Sequence, residues 1–280
     1  MRLIRHGTPG NERPGMLAPD GTRRDLSAVI EDLRGAALGD ESLARLRELD
    51  PTTLPLVDNK ARLGPPVAGI GKFICIGLNY ADHAAEAGMS VPSEPIIFMK
   101  ATSAVSGPHD PLEIPRGSTR TDWEVELGVV IGKRAKYIEQ DQALEHIAGY
   151  LCVNDVSERD FQTQRQGQWT KGKSHDTFGP IGPWLCTRDE IVDPQALRLW
   201  CDIDGQRRQD GSTATMVYGV THLIAYLSRF MTLEPGDIIA TGTPPGVGMG
   251  LKPPVFLQPG QEISLGVEGL GEQSYRCVPA

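Results

Sequence analysis

Two glutamates in an apolar stretch are the first residues of this sequence whose spacing suggests chemistry. Glu124 and Glu126 lie in residues 121–132, where β-branched and aromatic residues predominate up to a closing glycine, as is typical of a strand. Strand side chains alternate, so both carboxylates point to one face. Like charges this close are tolerated when a cation lies between them or when one carboxyl is protonated. The alternative is an exposed edge strand with two solvated acids.

A third acid follows a second apolar strand. Residues 149–157 predict this strand, and Asp155 lies near its end, where a buried strand reaches the edge of a sheet and site residues are often found. The next residues have a helical pattern, which places Arg159 and Gln162 on the same side of the chain.

A histidine and a glutamate occupy one face of a predicted helix over residues 78–88. His83 and Glu86 are three residues apart and can touch. A carboxylate beside an imidazole fixes its tautomer and raises its basicity, as a base that activates water requires. The alternative is an ordinary surface pair.

Three further residues are candidate ligands for an anionic or polar substrate. Lys100 ends the predicted strand 95–100, Lys173 lies in a loop-like segment beside a glycine, and Thr243 belongs to a Gly-rich turn after the strand 238–241. That turn is not a nucleotide-binding P-loop, because the Gly-Lys-Ser/Thr ending is missing.

The elements that must position these residues divide the chain in two. Residues 1–26 predict a hairpin, and short helices are predicted at 28–38 and 43–49. The Pro- and Gly-rich segment 51–71 then predicts a boundary near residue 66, which separates a small α+β domain (1–65) from a larger domain (66–280). Further helices are predicted at 141–147 and 217–231, the second being the longest.

Composition excludes several classes of protein. The chain has 280 residues and a formal net charge of −8, so no basic stripe could neutralise nucleic-acid phosphates. No apolar run approaches the roughly 20 residues of a membrane-spanning helix, and no signal-peptide core is present. The five single cysteines predict buried free thiols in a reducing cytoplasm.

The N-terminal segment 3–8 resembles the start of the histidine phosphatases, whose phosphohistidine lies in an Arg-His-Gly motif. The chain departs from that pattern at Thr8 and Asn11, and no second His-Gly pair follows. We therefore set this interpretation aside; unchanged activity in a His6→Ala variant would dispose of it.

Several motifs together resemble the fumarylacetoacetate hydrolase superfamily over roughly residues 70–270. They occur in the family's order and spacing, and they are GLNYADHAAE (77–86), FMK (98–100), DWEVELG (122–128), Asn154-Asp155, KGKSHDTFGP (171–180) and PGDIIATGTPPGVG (235–248). The resemblance implies a β-rich α+β fold, a mixed β-sandwich roll that follows a small N-terminal domain. It also implies a homodimer.

The resemblance further implies roles for single residues. Glu124, Glu126 and Asp155 match the ligands of a divalent cation, Mg²⁺ or alternatively Mn²⁺ or Ca²⁺, in agreement with the preference of hard cations for carboxylate oxygens. His83 and Glu86 match the pair that activates water. The residues matched to substrate contact or enolate stabilisation are Lys100, Arg159, Gln162, Lys173 and Thr243.

Two departures place the chain nearer the acylpyruvase-like branch than the namesake hydrolase. Residues 77–79 offer no fourth acidic ligand, and Glu86 is one turn from His83 rather than far along the chain. We hypothesise hydrolytic C–C cleavage of a 2,4-diketo acid, with pyruvate as one product; the polar loop residues favour a hydroxylated or carboxylated tail, such as that of a 2,4-diketo-3-deoxy-aldonate. The alternatives are decarboxylation or tautomerisation of a β-keto acid, and a non-catalytic binding protein.

Overall fold

The computed structural model describes residues 1–86, 88 and 90–280, and most of its regular structure is strand. In chain order the strands are β1 (Arg2–His6), β2 (Arg13–Leu17), β3 (Arg23–Asp25), β4 (Leu63–Gly64), β5 (Phe73–Gly77), β6 (Ile96–Lys100), β7 (Val105–Ser106), β8 (Leu112–Ile114), β9 (Thr121–Asp122), β10 (Val125–Ile131), β11 (Ile147–Asn154), β12 (Ser157–Glu158), β13 (Gly179–Thr187), β14 (Arg198–Ile203), β15 (Gln206–Ser212), β16 (Ile238–Ala240), β17 (Glu262–Val267) and β18 (Gly271–Pro279).

The helices are short. The α-helices are α1 (Asp40–Arg47), α2 (Ala81–Glu86), α3 (Arg159–Thr163), α4 (Thr170–Lys173) and α5 (Val220–Leu227). Single turns of 3₁₀ helix cover Gly35–Leu38, Pro51–Thr53, Thr102–Ala104, Arg188–Glu190, Thr213–Thr215 and Gly248–Gly250, and a longer 3₁₀ segment covers Gln140–His146.

Two large sheets form the body of the molecule. The first has eleven strands in the order β3-β2-β1-β13-β11-β10-β16-β5-β6, with β4 paired to β1 and β7 paired to β13. The second has five strands in the order β15-β14-β17-β18-β8, and β9 pairs with β12 in a small ribbon. The large sheet is mixed, because β16 and β5 run parallel whereas β10 is antiparallel to both of its neighbours.

The two faces of β10 belong to two different cores. Leu127 and Val129 pack in the core shared with the five-stranded sheet, where Leu199 and Leu265 are also buried. Val130 points to the opposite core, which the N-terminal segment covers with leucines such as Leu33, Leu38 and Leu46. This alternation is the strand periodicity seen in the sequence.

The N-terminal segment differs from its predicted helices. Strands β1 and β2 form the predicted hairpin, and β1 also pairs with β13 in the large sheet. The predicted helix 28–38 is wrong apart from its last turn, Gly35–Leu38, which is 3₁₀ helix. Gly35 adopts a φ of +51°, which a right-handed helix does not continue through. The second helix begins at Asp40 and ends at Arg47, earlier than predicted. The domain boundary near residue 66 stays a prediction.

Three other elements are also shorter than predicted or of another type. The predicted longest helix shrinks from residues 217–231 to α5, which Gly219 precedes as N-cap. The predicted helix 141–147 is a 3₁₀ segment, Gln140–His146, with Ile147 already in β11, and the loop-like segment after residue 169 contains α4. The predicted helix 78–88 is confirmed over Ala81–Glu86, which form α2, but it begins later than predicted because Leu78 adopts a φ of +53°. Ala87, which the prediction included, lies outside the described residues.

The predictions about membrane-spanning helices and about free cysteines can be compared with the structure. Among residues 1–86, 88 and 90–280, no helix has both the length and the apolar character that a membrane span requires. All five cysteines are buried and free, as predicted.

Candidate active site

The three acids converge where β10 and β11 end side by side. Val125 pairs with Asn154 in the ladder between the two strands. The Glu124 N–H, one residue earlier, donates to the Asn154 side-chain oxygen at 3.0 Å rather than to a backbone carbonyl. The Asp155 N–H in turn donates to the Glu124 carbonyl at 2.9 Å. This bonding pattern leaves Glu124 outside the regular ladder, so the predicted single strand 121–132 is divided into β9, which ends at Asp122, and β10, which begins at Val125.

The carboxylates themselves form a buried cluster. Each of Glu124, Glu126 and Asp155 offers one carboxylate oxygen, and these oxygens lie within 4.8 Å of one another. All three side chains are buried, so the prediction that Glu124 and Glu126 share a face is confirmed and the exposed edge strand is excluded.

Cationic side chains surround this cluster. Lys173 Nζ donates to Glu124 Oε2 at 2.7 Å and to Asp155 Oδ2 at 2.8 Å. Lys100 Nζ donates to the other oxygen of Asp155 and, at 2.9 Å, to the Val156 carbonyl. Arg159 Nη2 lies 2.7 Å from Glu124 Oε1. The three cations therefore fix the orientation of two of the three carboxylates.

Burial and charge affect the two glutamates in opposite directions. Burial opposes ionisation of Glu124, but the charges of Lys173 and Arg159 outweigh it and hold the pKa of that carboxyl well below its usual range. For Glu126, burial and then the negative charges of Asp155 and Glu124 raise the pKa well above its usual value. Its Oε2 accepts one stabilising bond, from the Gly242 N–H at 2.8 Å. Glu126 is thus the acid that most lacks a cation.

His83 and Glu86 are paired on α2. Their Nδ1 and Oε2 atoms are 3.2 Å apart, and the Glu86 carboxylate also accepts the Gly246 N–H at 3.0 and 3.1 Å. His83 is buried. The glutamate is therefore fixed by the Gly-rich turn, and it can hold a proton on Nδ1 so that Nε2 carries the free lone pair.

His83, from the histidine–glutamate pair, and Glu124 and Glu126, from the acidic cluster, line one cavity of about 180 Å³. The residues that line it are Ile76, Gly77, Leu78, His83, Phe98, Glu124, Glu126, Arg159, Gln162, Thr163, Trp169, Lys173, Thr243 and Met249. Most of the sequence-predicted site residues are thus brought together. Three predicted site residues do not line the cavity: Glu86 lies beside His83, Asp155 lies beside Lys173, and Lys100 is buried against Asp155 and Val156.

Sequence reasoning missed several residues of the site. Asp122 accepts bonds from Arg159 Nε at 2.8 Å and from the Gly248 N–H at 2.6 Å, and so joins α3 to the Gly-rich turn. Gln209 donates to Thr243 Oγ1 at 2.8 Å. Phe98 and Trp169 line the cavity from positions far apart in the chain. For Asp122 there was a signal, namely an acid beside the Glu124–Glu126 pair in an apolar strand.

The donor set fits a hard divalent cation. The cluster offers only carboxylate oxygens, which are the ligands that Mg²⁺, Mn²⁺ and Ca²⁺ prefer. Glu126 gives a second reason to expect a cation here, because its buried carboxyl has acidic neighbours and a raised pKa. A cation beside it would relieve this repulsion.

Sequence comparison assigns the family. The model of the fumarylacetoacetate hydrolase C-terminal domain matches residues 72–278, and the chain belongs to this family. A protein of Burkholderia multivorans, named only provisionally as a hydrolase, is 63% identical over 274 residues that cover 98% of this chain and 97% of that protein.

Solved structures agree with this assignment. The fumarylacetoacetate hydrolase of Exiguobacterium antarcticum is 36% identical with a TM-score of 0.86, and all of both chains is covered. The maleylpyruvate hydrolase of Sphingobium sp. SYK-6, solved with manganese(II) and pyruvate, is 30% identical with a TM-score of 0.82, again over the whole of both chains. The β-rich α+β fold predicted from the sequence is confirmed.

Proposed function

We propose that this protein is a metal-dependent hydrolase that cleaves a C–C bond of a 2,4-diketo acid and releases pyruvate and a second carboxylic acid. One observation carries the proposal: His83, which is paired with Glu86, lines the same small cavity as Glu124 and Glu126 of the acidic cluster. A base that activates water is useful for hydrolysis, whereas decarboxylation and tautomerisation do not require hydroxide.

The family supplies the chemical context for this choice. A structural relative that is 30% identical is named a maleylpyruvate hydrolase, and its structure contains manganese(II) and pyruvate. Pyruvate is the product that cleavage between C3 and C4 of a 2,4-diketo acid would give. We propose Mg²⁺ as the cation in this chain, with Mn²⁺ or Ca²⁺ as alternatives.

Glu124, Glu126 and Asp155 would hold this cation. When bound, it would act as a Lewis acid that stabilises negative charge on the pyruvyl half of the substrate. Lys173 would remain beside Glu124 and Asp155 and add a second positive charge where the enolate develops. Lys100 would keep Asp155 oriented from behind the cavity.

His83 would act as the general base. Nδ1–H of His83 would donate a hydrogen bond to Glu86, so Nε2 would take a proton from water, and the hydroxide would attack the C4 carbonyl. The C3–C4 bond then breaks with its electron pair on C3, and the proton held by His83 returns to that carbon. The hydroxyl group of the water thus ends in the second carboxylic acid, and its proton ends in the methyl group of pyruvate. Arg159, Gln162 and Thr243 would orient the substrate from the cavity wall.

A pyruvate-release assay over a panel of 2,4-diketo acids, with Mg²⁺ or with EDTA, tests this proposal. We expect release with Mg²⁺ and its loss with EDTA. His83→Ala should abolish hydrolysis, largely spare any decarboxylation of oxaloacetate, and contrast with His109→Ala, which changes an exposed histidine outside the cavity. Equal hydrolysis by the His83→Ala and wild-type proteins would disprove the assigned base.

A further inference from the structure

One wall of the cavity is made of apolar side chains from three segments. Ile76 and Leu78 come from the end of β5 and the residue after it, Phe98 from β6, and Trp169 from the position that precedes α4. Phe98 and Trp169 pack edge to face, with ring centroids 5.1 Å apart. We call Ile76, Leu78, Phe98 and Trp169 the apolar wall.

Two features fix the position of Trp169 in this wall. Gly77 allows the indole to approach so closely that a Cβ at residue 77 would lie 2.8 Å from Trp169 Cζ3. Phe98 packs against the indole, and the Lys173 ammonium lies over the Phe98 ring, 4.8 Å from its centroid. The apolar wall therefore lies next to the group that we propose for enolate stabilisation.

Several of the polar lining residues already have partners inside the chain. Arg159 bonds to Asp122 and Gln162, and it faces Glu124. Thr243 donates to the Val125 carbonyl and accepts from Gln209, while Thr163 donates to the Arg159 carbonyl. A hydroxylated tail that used the bonded groups of Arg159 or Thr243 would have to displace these bonds, which is costly because both side chains are buried.

The charge balance disfavours a second substrate carboxylate. Among the described residues, five acids meet at this place, namely Glu86, Asp122, Glu124, Glu126 and Asp155, against the three cations Lys100, Arg159 and Lys173. A divalent cation would balance this excess of two negative charges. The carboxylate of the pyruvyl half then adds one negative charge, so a second carboxylate on the tail would find no matching charge.

From these observations we infer that the acyl half of the substrate is short and apolar and packs against Phe98 and Trp169. This inference rests on the proposed hydrolysis of 2,4-diketo acids and names their tail. It departs from the hydroxylated or carboxylated tail expected from the sequence, because the polar side chains behind that expectation are used to build the site.

The test compares three acids of equal carbon number. They are 2,4-dioxoheptanoate, the same acid with hydroxyls on C5 and C6, and 2,4-dioxoheptanedioate. We expect kcat/KM for the apolar acid to exceed that for each polar acid by about 10- to 100-fold, the range over which apolar pockets discriminate. Trp169→Ala should lower kcat/KM for the apolar acid about tenfold and leave the hydroxylated acid nearly unchanged, whereas Phe230→Ala, at an exposed aromatic, should change neither.

Binding measured without turnover tests the apolar tail separately from the proposed hydrolysis. In the His83→Ala protein with Mg²⁺, quenching of tryptophan fluorescence should give the tightest dissociation constant for the apolar acid, and Trp169→Phe should remove most of the signal change. Equal or faster cleavage of the polar acids, with pyruvate released, would overturn the apolar tail and leave the proposed function standing. Absence of pyruvate from every acid would overturn the proposed function, and the order of dissociation constants would still decide the tail.

Discussion

Lys173 Nζ lies 2.7 Å from Glu124 Oε2, and both side chains are buried. The same ammonium also reaches Asp155, so one lysine neutralises two of the three acids that we propose as metal ligands. Burial opposes the charged form of Lys173, but Asp155 and Glu124 outweigh it and raise the pKa of the lysine above its usual value. The lysine therefore carries a full charge at neutral pH.

Lys173→Met should destabilise the metal-free protein. Removal of one partner from a buried ion pair costs about 3–5 kcal/mol, because it leaves an uncompensated charge. We expect the Tm with EDTA to fall by more than about 5 °C, by the usual relation for chains of this size. Mg²⁺ should recover more stability in the variant than in the wild type, because carboxylates that have lost their ammonium should bind the cation more tightly, and tighter binding stabilises the folded state more. The exposed Lys171→Met, on the same helix, is the control; an equal effect of both changes would contradict this role for Lys173.

Glu126→Gln should have the opposite effect on metal-free stability. The pKa of Glu126 is raised by burial and by its acidic neighbours, so its ionised form opposes folding at neutral pH, and a neutral amide removes that cost. We expect Tm with EDTA to rise by roughly 2–4 °C, which corresponds to about 1 kcal/mol. Calorimetric Mg²⁺ binding and pyruvate release should both be lost. Glu113→Gln provides an exposed control, and a Glu126→Gln protein that binds Mg²⁺ with wild-type affinity would refute the ligand assignment.

Glu86→Gln should reduce turnover more than substrate affinity. The amide can still accept a bond from the Gly246 N–H, but it no longer stabilises the charge that His83 gains when it takes a proton. We expect kcat to fall by about 100-fold, within the usual range for an impaired acid–base group, with KM changed less than threefold. Steady-state kinetics at saturating Mg²⁺ measures both. A rise in KM at constant kcat would instead make Glu86 a substrate-binding residue.

Two glycines with similar positive φ angles allow a matched comparison. Gly246 has φ +102° and a Cβ there would lie 1.9 Å from the Arg208 carbonyl oxygen, whereas Gly260 has φ +95° and nothing within 4 Å. Gly260→Ala should cost only backbone strain, about 1 kcal/mol. Gly246→Ala should also move the Gly-rich turn, remove its bond to Glu86 and lower kcat at least tenfold. Crystal structures of both variants would locate the shift; equal activity of the two would show that the turn does not position Glu86.

Local pattern in the sequence predicted the acidic cluster but not its surroundings. The alternation of Glu124 and Glu126 and the position of Asp155 depend on strand geometry, which a sequence reveals. The break before Val125 depends on the Asn154 side chain, which replaces a ladder bond from the neighbouring strand and leaves no local signal. Likewise, the false helix at 28–38 had good periodicity, but Gly35 and packing against the large sheet determined the outcome.

Residues distant in the chain were hardest to place. Phe98 and Trp169 belong to segments that looked like a strand end and a loop, and only the fold brings their rings to 5.1 Å. Lys100 was expected to contact substrate because it ends a strand in a motif. The structure places it behind Asp155, where its donors bond to the protein. The order of the strands in the large sheet likewise depends on long-range pairing, which one sequence does not reveal.

The contact between Lys173 and the two acids also bears on biosynthesis. An acidic pocket that relied entirely on an external ion would make folding of the new chain depend on the local supply of that ion. Here a covalently attached ammonium provides an internal counterion to Glu124 and Asp155. The polypeptide can therefore complete its fold first and acquire its cofactor afterwards, so chelator-treated protein should refold and regain activity when the ion is restored.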